Sequence, residues 1–190
     1  VRLNPHWDKV QPRRGEWNWG WYDEQVEAHT KRGLGLQAVI HGIPRWARET
    51  SASGQGPVPN TEAWKEWMRG AATHLKGRAL FWEIWNEPNI AFFKGNTDEY
   101  LGLLRTASET ILGVDPAAHV KTGGFASLDH AANKPGMIER VLRDTPESFK
   151  EVSYHRHGTF DVFYDEMELH LLPLLTATGT SKKPVYFSET

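Results

Sequence analysis

The sequence predicts an α/β fold of the (β/α)8 TIM barrel class, incomplete here at about six βα units. Short segments rich in β-branched and aromatic residues alternate with amphipathic helical patterns, which is typical of βα units around a parallel sheet. The alternation recurs roughly every 30–45 residues, as expected for a repetitive barrel. An open doubly wound sheet usually carries a glycine-rich phosphate loop after a strand, and the sequence has none. We therefore prefer the barrel.

Six segments are predicted to be strands, because each is too short and too rich in β-branched or aromatic residues for a helix. They are residues 1–4, 36–41, 79–85, 119–122, 152–155 and 184–188. Apolar residues recur at helical spacing in 64–75 and 100–111, and further helices are predicted near 21–32, 137–144 and 160–175. Asn96 followed by Glu99 predicts a capping box before the second apolar stripe.

The whole chain, residues 1–190, is predicted to be a single barrel domain, because no linker or change of composition divides it. A complete barrel takes roughly 250 residues. We therefore expect one βα unit before residue 1 and another after residue 190, so that the domain is truncated at both ends.

Composition excludes several classes of partner. The formal net charge is −2 and there is no basic stripe or polybasic patch, which argues against nucleic acid and membrane surfaces and favours a neutral substrate. No apolar run is long enough to span a membrane. Cysteine is absent, which excludes disulfides and thiolate metal sites but leaves the cytoplasm and the cell exterior both open. Oligomeric state has no signal in the sequence.

A candidate catalytic carboxylate lies where the third predicted strand ends. The aromatic segment 81–85 runs into Asn86, Glu87 and Pro88, and proline cannot donate to a sheet ladder. Glu87 therefore lies at a strand's carboxyl end, where barrel enzymes place their chemistry. Its aromatic surroundings favour the protonated form that a general acid needs. A plain turn-capping role is the alternative, and Glu83, on the same face, is predicted to be paired inside the barrel.

A second carboxylate, Glu189, ends the last predicted strand. Hydrolysis of a glycosidic bond uses two carboxyl groups, roughly 5–5.5 Å apart when one acts as the nucleophile. Barrel closure can bring Glu87 and Glu189 to one cleft, although Glu189 could instead be a surface residue. Asn86 and Glu87 can face the same sugar only if the strand end is irregular, because successive residues of a regular strand point to opposite faces.

The motifs WNEPN at 85–89 and YFSET at 186–190 resemble the signatures of glycoside hydrolase clan A, with families 39 and 5 nearest. The resemblance extends to VRL at 1–3 and PRWA at 44–47 and covers essentially the whole chain. It implies a (β/α)8 barrel that hydrolyses β-linked sugars with retention of configuration and without a cofactor. It further implies that Glu87 is the acid/base, Glu189 the nucleophile, Asn86 the donor to the sugar 2-hydroxyl, and Arg2 the partner that keeps Glu189 ionised.

Two histidines end the fifth predicted strand. Alternation places His155 and His157 on one face, toward the cleft. The clan usually has His-x-Tyr here, so His157 puts in doubt the usual phenolic hydrogen bond to the nucleophile. The pair also resembles the His-x-His of metal-dependent amidohydrolase barrels. That alternative needs more ligands, and His41 is the one evident candidate, so no metal site is predicted.

Tryptophan is unusually frequent, with nine residues, and flat indole rings stack on sugar faces. Trp46 and Trp85 are predicted sugar platforms because both lie at strand ends, with packing in the wall as the alternative. Trp64 and Trp67 follow the helical stripe and are assigned to the core. A catalytically silent carbohydrate-binding barrel would keep the platforms, but it would not need both glutamates. The sequence therefore favours a retaining O-glycosidase.

Overall fold

The computed structural model describes residues 1–128, 134 and 136–190 of the 190-residue chain. The strands are β1 (Arg2–Leu3), β2 (Leu36–Ile40), β3 (Arg48–Thr50), β4 (Pro57–Pro59), β5 (Ala79–Ile84), β6 (His119–Lys121), β7 (Val152–His155) and β8 (Val185–Glu189). The helices are α1 (Trp7–Val10), α2 (Gly20–Thr30), α3 (Thr61–Leu75), α4 (Thr97–Val114), α5 (Met137–Asp144), α6 (Phe160–Asp165) and α7 (Leu172–Ala177).

Six of these strands are parallel and lie side by side in chain order. β1, β2, β5 and β6 form one sheet and β7 pairs with β8. Single bridges from Lys121 to Glu151 and from Phe125 to Tyr154 join the two groups. Strands that follow one another in space as they do in sequence, with helical crossovers, are the arrangement of a (β/α)8 barrel. The described residues supply six parallel strands of this arrangement, and the first five are each followed by helix.

The helices cover the sheet as the apolar stripes predict. Asn60 caps α3 by accepting from the Ala63 amide, and the stripe of α3 is buried, including Trp64 and Trp67. The Trp64 indole donates to the Leu103 carbonyl of α4 at 3.0 Å, which locks the two helices together. Asn96 and Glu99 form the predicted capping box at the start of α4.

Three features differ from the sequence prediction. A β3–β4 hairpin and the short α1 were not predicted. The helix predicted near 160–175 contains a π-helical segment, Glu166–Leu171, followed directly by Leu172 and Pro173 in α7. Because proline has no amide hydrogen, it cannot complete the regular hydrogen-bond pattern of the preceding turn. No helix in the described ranges is both long and apolar enough to cross a membrane.

Candidate active site

The carboxyl end of β5 is irregular. Trp85 and Glu87 both have left-handed backbone, with φ of 77° and 45°, although neither is glycine. Such conformations cost about 1–3 kcal/mol each and persist where neighbouring structure enforces them. Here the Trp85 amide donates to the Ile40 carbonyl and the Glu87 amide to the Gly124 carbonyl, both at 2.9 Å. The strand end is therefore irregular, as simultaneous access of Asn86 and Glu87 to one ligand requires.

Glu87 and Glu189 meet at His155. The imidazole Nδ1 lies 3.1 Å from Glu87 Oε1 and 3.7 Å from Glu189 Oε2. One oxygen of each carboxyl group and the imidazole nitrogen lie within 4.8 Å of one another. The His155 side chain is 1% exposed, whereas those of Glu87 and Glu189 are 15% and 33% exposed. The two carboxyl groups thus face one cleft on a buried imidazole, at a separation close to that of a nucleophile and an acid/base.

Arg2 holds one side of this pair. Its Nη1 donates to Glu189 Oε1 at 2.5 Å, and its Nη2 donates to Asn86 Oδ1 at 2.6 Å. Because the Asn86 oxygen is occupied by Arg2, the amide NH2 group is the end available to donate to a ligand. Arg2 Nη2 also contacts Glu83 Oε1 at 2.8 Å. The structure therefore brings Arg2, Asn86, Glu87, His155 and Glu189 together, all predicted from the sequence.

Glu83 is connected to both Glu87 and Glu189 through a chain of hydrogen bonds. It is fully buried, and its second oxygen accepts from Gln37 Nε2 at 2.8 Å and Ser153 Oγ at 2.5 Å. The Ser153 hydroxyl lies 2.9 Å from the Ser188 hydroxyl, which lies 2.9 Å from His155 Nε2. A continuous polar network, which we call the floor, therefore links Glu83 to Glu189 through Arg2 and to Glu87 through His155. The prediction that Glu83 is paired inside the barrel is confirmed.

Sequence reasoning missed the two serines and Gln37. Ser153 shares a strand face with His155, so alternation could have found it. Ser188 depends on a register shift, because His155 pairs with Glu189 while Tyr154 pairs with Phe187. The extra residue allows Ser188 and the adjacent Glu189 both to contact His155, which a regular strand would not permit.

A buried lysine extends the floor further into the barrel. Lys121 is 1% exposed, and its Nζ donates to Gln37 Oε1 at 3.0 Å and pairs with Glu151 Oε2 at 3.1 Å. The Tyr186 ring centroid lies 3.3 Å from the same nitrogen. Burial lowers the pKa of Lys121, and the Glu151 carboxylate opposes that shift. Lys121 thus fixes the amide of Gln37 and, through it, Glu83.

A cavity of about 350 Å³ opens beside Glu189. Glu87 is not among its lining residues, although its neighbour Asn86 is. Its lining includes four predicted site residues, Arg2, Trp85, Asn86 and Glu189. His41 also lines it, and burial, together with the nearby His6 and Arg2, lowers the pKa of His41 to about 4. At neutral pH His41 is therefore an uncharged residue in the cavity lining.

The remaining predicted site residues lie differently. Trp46 is not among the residues that line this cavity; its indole donates to the Gln11 carbonyl at 3.1 Å and its ring packs edge-on against Trp7. Trp85 lines the cavity but is 4% exposed and packs against Trp64, so it offers little face to a sugar. His157 Nε2 is 3.9 Å from Glu189 Oε2 and its side chain is 63% exposed, which is too far and too open for the phenolic role.

The spacing of Glu87, His155 and Glu189 would also suit a small cation, and these are the residues that could hold one. Arg2 opposes this use of the cluster. Its guanidinium already carries a positive charge at hydrogen-bond distance from Glu189, so a cation at the same carboxylate would be repelled. His157, required by the amidohydrolase alternative, is not part of the cluster among the described residues.

Comparison with known proteins addresses the fold. A monomeric β-xylosidase from Caulobacter crescentus superimposes with a TM-score of 0.74 at 18% identity, over 98% of this chain and 45% of that chain. Xylanase 10B from Thermotoga maritima gives a TM-score of 0.69 at 17% identity, over 100% of this chain and 61% of that one. The fold is that of the TIM-barrel glycoside hydrolases. The fold that the resemblance to clan A implies is thereby confirmed.

The sequence similarity is partial. No family model matches the chain. Endo-1,4-beta-xylanase 1 of Gibberella zeae is 29% identical over 85 residues, which is 43% of this chain and 23% of that protein. A family 39 glycoside hydrolase from Bacteroides cellulosilyticus has a TM-score of 0.63 at 24% identity, over 83% of this chain and 32% of that one. The chain thus spans about a quarter of the curated xylanase and less than two thirds of each of these solved chains.

Proposed function

We propose that the protein is a retaining O-glycoside hydrolase that cleaves β-linked oligosaccharide or polysaccharide by double displacement. The observation that carries the proposal is the approach of Glu87 and Glu189, from two different strand ends, to within 4.8 Å of each other, with Glu189 and the neighbouring Asn86 lining a cavity. An inverting enzyme needs roughly 6.5–9.5 Å between its carboxyl groups to admit a water. The shorter separation favours direct attack by one carboxylate.

Glu189 attacks the anomeric carbon while Glu87 protonates the leaving oxygen, and Glu87 then removes a proton from the water that releases the sugar. Arg2 donates to Glu189 Oε1 and so holds the attacking carboxyl group in position. The NH2 group of Asn86 donates a hydrogen bond to the sugar 2-hydroxyl. His155 contacts both carboxyl groups and holds them in position relative to each other during both steps of the reaction.

The first substrates to test are β-1,4-linked xylo-oligosaccharides and aryl β-xylosides. This choice is supported by the names of the relatives, which include xylanases and xylosidases. The chain provides its own hydrolytic groups, and the mechanism requires no cofactor.

The acid/base role of Glu87 is tested by leaving-group dependence. In Glu87→Gln, hydrolysis of an aryl β-xyloside with a poor leaving group should fall far more than that of a dinitrophenyl β-xyloside, because only the poor leaving group needs a proton. The exposed Glu109→Gln on α4 is the matched control and should behave as the unaltered protein. Equal slowing of both substrates would contradict the assignment. If the unaltered protein bound xylo-oligosaccharide without hydrolysing it, the result would instead support a silent carbohydrate-binding barrel.

A further inference from the structure

One wall of the cavity is built by two segments outside the barrel strands. Arg48 and Pro57 come from the β3–β4 hairpin, and Phe92 and Lys94 come from the loop after β5. We call this set of four residues the lip. Glu49, the neighbour of Arg48, does not line this cavity and is hydrogen-bonded to Asn60 instead. The lip therefore presents basic side chains in the same cavity as Glu189.

The two segments of the lip are fastened to each other. Glu99 accepts from the Ser51 hydroxyl at 2.7 Å and from the Ala52 amide at 2.8 Å, and the Ser53 hydroxyl donates to the Lys94 carbonyl at 3.1 Å. The aliphatic stem of Lys94 crosses Gly56 so closely that a Cβ there would lie 3.0 Å from Lys94 Cγ. Glycine at this position, with φ of +149°, lets Lys94 lie against the hairpin that carries Arg48.

The two basic side chains of the lip form no salt bridge with the described residues. Within the part of the chain that the structure describes, neither Arg48 nor Lys94 has an acidic side chain within 4.0 Å. Arg48 uses its Nε on the Ile43 carbonyl at 3.0 Å, which orients the guanidinium and leaves its terminal nitrogens for a ligand. Arg2, which also lines the cavity, is by contrast paired with Glu83 and Glu189. His41 adds no charge at neutral pH, because its pKa is about 4.

We propose that the lip binds an anionic group, a carboxylate or a sulfate ester, carried by a sugar of the substrate next to the sugar held at Glu87 and Glu189. The proposal rests on the glycosidase function above and narrows its substrate class to acidic glycans. Arg48 offers a planar fork and Lys94 a point charge, which together suit an oxyanion. The net charge of −2 predicts a neutral substrate only as an average over the whole surface.

Calorimetric titration of three ligands tests the proposal. They are a neutral β-1,4-xylo-oligosaccharide, the same backbone with one uronic acid branch, and the same backbone with one sulfate ester. At low salt we expect at least one acidic ligand to bind about tenfold more tightly than the neutral one, with the preference shrinking as salt is raised. The carboxylate and sulfate arms identify which anion is recognised.

In the double variant Arg48→Gln/Lys94→Met the preference should fall to about one, while the neutral ligand keeps its Kd. Arg45→Gln, which removes an exposed charge outside the cavity lining, is the matched control and should keep the preference. All of these side chains are exposed, so the melting temperatures should agree and verify folding. Binding of the neutral ligand with no preference for either anion would overturn this inference alone. Failure of every oligosaccharide to bind would overturn the proposed function and this inference with it.

Discussion

The floor and the lip of the cavity treat charge in opposite ways. In the floor, Glu83 is fully buried and each of its oxygens has a hydrogen-bond donor, and the buried Lys121 is paired with Glu151. In the lip, Arg48 and Lys94 are exposed and lack acidic partners among the described residues. A buried charge without a partner costs several kcal/mol, whereas an exposed one is hydrated at little cost. The floor can therefore hold Glu87 and Glu189 rigidly, and the lip can leave its charges for a ligand.

The largest expected effect is the loss of turnover when Glu189 is replaced. Glu189→Gly removes the proposed nucleophile, so turnover of every glycoside should fall by several orders of magnitude, whatever the leaving group. The lip variant Arg48→Gln/Lys94→Met should keep its kcat on neutral substrates. Steady-state kinetics on an aryl β-xyloside measures both. Comparable losses of kcat in the two variants would contradict the separate roles assigned to Glu189 and to the lip.

Glu83→Gln should be the most damaging of the substitutions measured by stability. The new NH2 group faces donors instead of accepting from them, and Arg2 loses one of its two carboxylate partners. Disruption of a buried ion pair costs about 3–5 kcal/mol. Urea unfolding of Glu83→Gln against the surface control Glu109→Gln measures the difference. A loss below about 0.5 kcal/mol would show that the floor is not held by Glu83.

His41 should make the protein acid-sensitive. Its pKa is lowered from 6.5 to about 4 in the folded state by burial, so the unfolded chain binds its proton first as the pH falls. Its stabilising contribution is complete above pH 6.5 and is lost between pH 6.5 and 4, to a total of about 3 kcal/mol. Urea unfolding at pH 7 and pH 4.5 should show a smaller acid loss for His41→Gln than for the unaltered protein. Equal losses would contradict the burial of a neutral imidazole.

Gly56→Ala should have the smallest effect and should act on the lip alone. The added methyl group meets Lys94 Cγ and strains a backbone with φ of +149°, so about 1–3 kcal/mol of stability should be lost. Displacement of Lys94 should weaken anion preference without changing kcat on a neutral substrate. Gly54→Ala, which also has positive φ but meets no neighbour within 4 Å, is the control for backbone strain. An unchanged anion preference in Gly56→Ala would contradict the role of Lys94 in anion binding.

Local patterns in the sequence were sufficient for most elements. The β-rich segment 152–155 and the helix at 137–144 match β7 and α5 residue for residue, and the Asn96 capping box was predicted, because each depends on neighbours in sequence. The β3–β4 hairpin was missed because its second strand begins and ends with proline, which normally argues against a strand. Near the start of α2, Trp21 is 60% exposed, whereas Trp19 is buried.

The site was predictable where strand ends alone determine it. Glu87, Glu189 and His155 follow from the rule that barrel strands end at one cleft. Arg2 was predicted only from the resemblance to clan A. Ser188 and Gln37 were not predictable, because their contacts depend on the register between strands and on side chains up to 84 residues apart. The lip depends on how a hairpin packs against a loop 41 residues away, which no local pattern encodes.

Trapping of the covalent intermediate tests the central claim most directly. A 2-deoxy-2-fluoro-β-xyloside with a good leaving group should label the protein once, and mass spectrometry of its peptides should place the sugar on Glu189. Glu189→Gln should remain unlabelled, and the lip variant Arg48→Gln/Lys94→Met should label normally. A sugar attached to any other residue, or rapid hydrolysis with an α-configured first product, would contradict the account.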